Sequence, residues 1–117
     1  GKNTALSKKA ATACYSIQGL RAITERDSEK SSNNFKKVIK IMEDNPLIMR
    51  ELPKRYVRAI NGVMYDYMDS RDWGNCFIYI EKMRALNGKG KLIKKKKFYF
   101  TTIFLELILA LQTIRKH

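Results

Sequence analysis

Asp66 and Asp69 stand one helical turn apart on a shared face, with Asp72 just beyond, a spacing that could hold a cation or work as acid and base. Such chemistry needs a tuned partner, and the chain offers little. Its single histidine, His117, is the final residue, so no nucleophile–base pair or metal constellation can be built on imidazole. Cys14 and Cys76 lie far apart, with no CxxC pair and no histidine beside either, which points away from a zinc or redox site. Both read as small core residues; a bridge between them stays open, although a reducing, cytoplasmic setting is the better expectation. The glycine-containing NGKGK at Asn87–Lys91 lacks the preceding strand and the spacing of a phosphate-binding loop. The carboxylates are therefore read as a solvated helix end with capping duty, and the chain as non-catalytic, with no cofactor and no metal.

Charge is the compositional outlier, at a formal +13 over 117 residues. Such a balance favours acidic partners, and its placement matters more than its sum. Between Lys82 and Lys97 stand Lys82, Arg84, Lys89, Lys91, Lys94, Lys95, Lys96 and Lys97, with no acid among them. This patch would attract a phosphate backbone, which makes a basic nucleic-acid-binding helical domain the alternative function. Specific recognition of single strands would interleave aromatic groups with the charge, and the stretch has none. The favoured reading is a solvated loop whose lysines keep the following apolar helix soluble.

Apolar residues recur near a 3.6-residue period along most of the chain, and alternation of the strand type is rare, so an all-α fold is expected. A first helix runs from about Thr4 to Thr24, capped by Asn3 or Thr4, with Leu6, Ala10, Ala13, Ile17 and Leu20 as its core stripe. A second starts near Ser28 or Ser31 and carries Phe35, Val38, Ile41 and Met42 up to Asn45–Pro46. Leu47–Leu52 is a connector or a short turn of helix. Pro53 opens a third helix with Tyr56, Ala59, Ile60, Val63, Met64 and Tyr67 on one face. A fourth carries Trp73, Cys76, Phe77, Ile80 and Met83, and ends at Asn87–Gly88. A fifth is expected over about 92–114.

That last helix is apolar around most of its girth. Its core, Phe98–Ile114, spans about 25 Å at a rise of about 1.5 Å per residue, short of a hydrocarbon core of about 30 Å. It also contains Glu106, so membrane insertion is not expected. Cover for its outer face, Leu105 and Leu109 included, is expected from a second copy of the chain or a neighbouring domain. The chain opens on Gly1 rather than Met, which reads as a cleavage scar or an excised fragment and leaves a longer protein open, while the 117 residues are expected to form one domain.

The helices also repeat. The third overlays the fifth at a shift of 44, the first overlays the third at 43, and the second overlays the fourth at 42. The 43 shift sets Ala13, Ile17, Gly19 and Leu20 on Tyr56, Ile60, Gly62 and Val63. The 42 shift sets Asn33, Phe35, Val38 and Ile41 on Asn75, Phe77, Ile80 and Met83. The order is A, B, A, B, A: hairpins at about 4–45 and 53–87, then an unpaired last helix. Hairpins that cannot bury an apolar face alone stack upon one another.

The segment YVRAINGVMYDYMDSRDWGNCFIYIEKMRAL, Tyr56–Leu86, resembles a tetratricopeptide-type helical hairpin, especially the divergent hairpins of bacterial repeat proteins. Aligned through Arg71-Asp72-Trp73 on that family's Gly-Asp-Tyr turn, Ile60, Val63 and Tyr67 take the large positions of the first helix, Cys76 the small position of the second and Ile80 the next large one. Met64, Met83 and Gly88 depart from the family's small, alanine and proline positions, and the repeat exceeds the usual length of about 34 residues. The resemblance implies a right-handed stack of antiparallel hairpins, an α–α superhelix. It further implies a protein–protein interaction scaffold that takes a peptide or protein along the surface lined by the A helices. The groove positions it carries over are Arg58 for a carboxylate, Asn61 for a peptide backbone group and Tyr65 for an apolar side chain, joined by Gln18 and Thr102.

Overall fold

The computed structural model describes residues 2–88. These form five helices and no strand: α1 (Lys2–Thr24), α2 (Ser28–Asp44), α3 (Pro46–Glu51), α4 (Pro53–Asp69) and α5 (Trp73–Gly88). Helix α1 packs on α2, α2 on α4, and α4 on α5, with the short α3 bridging α2 to α4. The chain is thus an all-α stack of helical hairpins. The segment Leu47–Leu52 resolves to the short helix of its two readings. The expected last helix, with Thr102, Leu105 and Leu109, and the basic residues Lys89, Lys91 and Lys94–Lys97 lie outside the described residues.

Both hairpins turn by the same device. Helix α1 ends with Arg26 at φ 59°, its N–H donating to Ile23 O at 3.0 Å while Asp27 N–H donates to Ala22 O at 2.9 Å. Helix α4 ends with Arg71 at φ 60°, its N–H donating to Met68 O at 3.0 Å while Asp72 N–H donates to Tyr67 O at 2.9 Å. These crossed bonds satisfy carbonyls that a helix end leaves open. The following aspartate then caps the next helix: Asp27 Oδ1 accepts from Lys30 N–H at 3.1 Å, and Asp72 Oδ1 from Asn75 N–H at 3.3 Å. A repeated Arg-Asp pair therefore ends one helix and starts the next in each hairpin.

Helix α2 is the hub. It buries Ser31, Ser32, Asn34, Phe35, Val38, Ile39 and Met42, a broad face because it serves α1 on one side and α4 on the other. Helix α4 contributes Tyr56, Ala59, Ile60, Val63 and Met64, and α5 contributes Cys76, Ile80, Met83 and Leu86. Each fully buried Ile or Met removes enough apolar surface from water to contribute about 1.5–3 kcal/mol. At the centre the Phe35 ring meets two glycines. A Cβ on Gly19 would lie 2.8 Å from its Cζ, and one on Gly62 would lie 2.5 Å from its Cδ2.

Four expectations are corrected. The stripe Leu6, Ala10, Ala13, Ile17 and Leu20 is not core: Leu6 is 62%, Ile17 58% and Leu20 41% exposed. Helix α1 instead turns Thr12, Gly19 and Ala22 inward, small residues that admit the bulk of Phe35. Helix α1 already begins at Lys2, so Asn3 and Thr4 lie within its bounds rather than ahead of them. Cys14 is exposed and Cys76 fully buried, neither in a disulfide, so only the second is a core residue. Phe77, overlaid on buried Phe35, is 43% exposed, because no helix among the described residues covers the outer face of α5 as α4 covers α2.

Candidate partner groove between α1 and α4

The outward stripe of α1 does not face open solvent alone. Ala13, Ile17 and Leu20 form one wall of a depression of about 570 Å³, whose opposite wall is the start of α4 with Lys54, Arg55 and Arg58. One turn further along both helices, Ile23 and Arg26 face Gly62, Tyr65, Asp66 and Asp69 across a second depression of about 460 Å³. Leu20 and Ile23, like Arg58 and Gly62, are a single helical turn apart, so the two hollows adjoin as one trough between the A helices. Phe35 approaches the seam of the same two helices from the α2 side and fixes their separation through Gly19 and Gly62.

The trough has an electrical polarity. At its first end, Lys9 pairs with Glu51 and removes the one nearby carboxylate, while Arg55 Nη1 donates to Thr12 Oγ1 at 3.1 Å. Lys54 and Arg58 enter no ion pair among the described residues. At its second end stand Asp66 and Asp69, likewise in no ion pair among the described residues, with Arg26 beside them. No group of three or more His, Cys, Asp or Glu side chains placed to hold a metal ion forms among the described residues.

The residues expected to face a partner distribute as follows. Arg58 lines the first hollow and Tyr65, half exposed, the second. Asn61 lies one turn from each on the flank of α4, half-buried, with its Oδ1 enclosed and unpartnered. Gln18 points elsewhere, into a shallow hollow with Asp27, Lys30, Asn33 and Lys37 on the α1–α2 flank. Thr102 lies outside the described residues. Ile17, Leu20, Ile23, Lys54, Asp66 and Asp69 were not singled out from sequence as partner-facing. Their signal was a stripe on α1 that periodicity alone assigns to a core.

On the far side of α4, charge is consumed internally. Glu43 Oε2 accepts from Tyr56 Oη at 2.6 Å and from Lys82 Nζ at 2.7 Å. Burial, and then this bond to Glu43, push the Tyr56 phenol well above its ordinary range. Lys82 also sits 5.8 Å from the Tyr79 ring centroid, and Tyr79 stacks at a tilt on Tyr67 with centroids 5.7 Å apart. Arg84 pairs with Glu81 at 2.6 Å, so both described members of the basic run are already engaged by carboxylates.

No described helix is long and apolar enough to cross a membrane. Compared with known proteins, the chain matches no family model, no curated protein and no solved structure. Its class is given by the architecture, an all-α stack of hairpins.

Proposed function

We propose that this chain is a non-catalytic interaction scaffold of tetratricopeptide-like type, which binds a protein or peptide partner in the trough between its A helices, α1 and α4. The observation that carries this reading is the continuous apolar stripe of α1. A 23-residue helix whose apolar face is mostly bare in the folded chain is arranged to complete its burial against something else. Arg58 and Tyr65 supply a charge-directed contact and an amphipathic ring beside that stripe, the mixture that anchors interfaces. An exposed, unbridged Cys14 supports a reducing, cytoplasmic setting.

The test is selection of displayed 16-residue peptides on the whole chain, followed by affinity measurement on Ile17→Glu and Leu20→Glu. Binders are expected to lose at least tenfold in affinity on both variants. Their melting temperatures should stay near the parent's, since these side chains lie outside the core. Absence of enrichment, or binders indifferent to both substitutions, would sink the proposal.

A further inference from the structure

Resting on the groove reading, we infer that the occupant is an amphipathic α-helix of about four turns, with a carboxylate at one end for Lys54 and Arg58 and a cation at the other for Asp66 and Asp69.

Both walls of the trough are helices whose main-chain groups are used internally, and neither presents a strand edge. An extended peptide would bring its own N–H and C=O groups against the α1 wall, where the side chains of Ala13, Ile17, Leu20 and Ile23 answer none of them. A helix arrives with those groups already paired. Ala13, Ile17, Leu20 and Ile23 repeat at three and four residues, the ridge spacing that interlocks with the side chains of a second helix. The trough extends from Ala13 to Arg26, about 20 Å at about 1.5 Å per residue, which is about four turns of an incoming helix.

Charge fixes the pattern on that helix. Arg58 and Asp69 are separated by three turns of α4, about 16 Å. A partner carboxylate at position i and a cation at i+11 lie on one helical face at the same separation, with apolar residues at i+4 and i+7 between them. With Glu51 taken by Lys9, the first end is left positive, and Asp66 with Asp69 leave the second negative. Buried partly against apolar walls, such pairs direct register and exclude mismatched helices.

The experiment uses the whole chain and three fluorescein-labelled, Ala-rich helical peptides with Leu at i+4 and i+7. Their end residues are Glu at i and Lys at i+11, Lys at both, or Glu at both. Because a helix can enter in either direction, exchanging the two ends is uninformative, and the like-charged peptides are the controls. Anisotropy titration at low salt is expected to rank the Glu/Lys peptide at least tenfold above both others. The double variant Lys54→Glu, Arg58→Glu outweighs the remaining Arg55 and makes both ends of the trough negative, and the preference should pass to the Lys/Lys peptide. Equal binding of a Glu/Lys peptide interrupted by a central proline would overturn the helix. Equal binding of all three peptides would overturn the charge pattern. A dimer in sedimentation that Leu20→Glu dissolves would replace the partner helix with a second copy. If no designed peptide binds while displayed binders still depend on Leu20, this inference fails and the groove reading stands; if those also are indifferent to Leu20, both fail.

Discussion

Gly62 presents its bare Cα to the ring of Phe35, so close that a Cβ there would stand 2.5 Å from Cδ2. Phe35 is 1% exposed and cannot swing away. Alanine would gain about 1 kcal/mol of helix propensity at this mid-helix site, but overpacking of a filled core costs about 1–3 kcal/mol. Gly62→Ala is expected to destabilise by about 1–2 kcal/mol. In a Phe35→Leu background, where the ring is gone, the same change should be near neutral or stabilising. Urea unfolding of the four proteins of this cycle reads the coupling; equal costs in both backgrounds would show that Phe35 does not set the requirement for glycine.

Arg26 and Arg71 hold left-handed backbone at φ 59° and 60°, where a side chain costs about 1 kcal/mol relative to glycine. Arg26→Gly and Arg71→Gly should each raise stability by about 0.5–1 kcal/mol, and additively, since the two turns share no partner. A loss of stability on either substitution would mean that the arginine side chain carries a contact worth more than its strain.

Alkaline pH should unfold the chain partly through Tyr56. Its phenol is raised in the folded state, first by burial and then by Glu43. The folded state thus holds a proton that the unfolded chain releases near the ordinary tyrosine value of about 10. Its contribution is complete below that value and is lost as pH climbs above it. Tyr79, raised chiefly by burial, and the buried Cys76 thiol act in the same direction. Tyr56→Phe should cost about 1–2 kcal/mol at neutral pH through the lost bond to Glu43. It should also flatten, without abolishing, the fall in denaturation midpoint above about pH 10. An unchanged slope would place the alkaline transition elsewhere.

Thiol labelling separates the two cysteines. Cys14 is exposed on α1, while Cys76 is fully enclosed, its thiol raised by burial and its Sγ 3.9 Å from Met64 O. One equivalent of a disulfide-exchange reagent is expected to react within minutes, and the second only at the rate of unfolding. Two fast equivalents would contradict the packing of α5 on α4.

Much of this architecture could be read from residue order. Pro46 and Pro53 stand at helix starts, and Tyr56, Ala59, Ile60, Val63 and Met64 form the buried face that their period implies. Period failed on α1, which among the described helices packs closely on α2 alone. On α1 the larger apolar residues face the trough, and Gly19 with Ala22 make the core contact, a seam too small to register as hydrophobic. The overlay of Ile17 on Ile60 misleads as to burial, since of these two helices α4 is packed between two long ones, α2 and α5, and α1 is not. The Arg-Asp pair at 26–27 and 71–72 was legible in both hairpins. It passed unread as a repeat because a left-handed arginine carries no glycine to announce the turn. Of the residues that line the candidate trough, Arg58 and Tyr65 are the two that the tetratricopeptide resemblance also names. Gln18 was misplaced because one step of rotation, about 100°, separates it from Ile17.

The inward face of α1, small and polar, and its outward face, large and apolar, share a rod but no side chains. Natural variation can therefore rewrite residues such as Ile17 and Leu20 while the grip of Thr12, Gly19 and Ala22 on the body persists. On the proposed groove reading, affinity for new partners drifts along this helix without a matching drift in thermal tolerance.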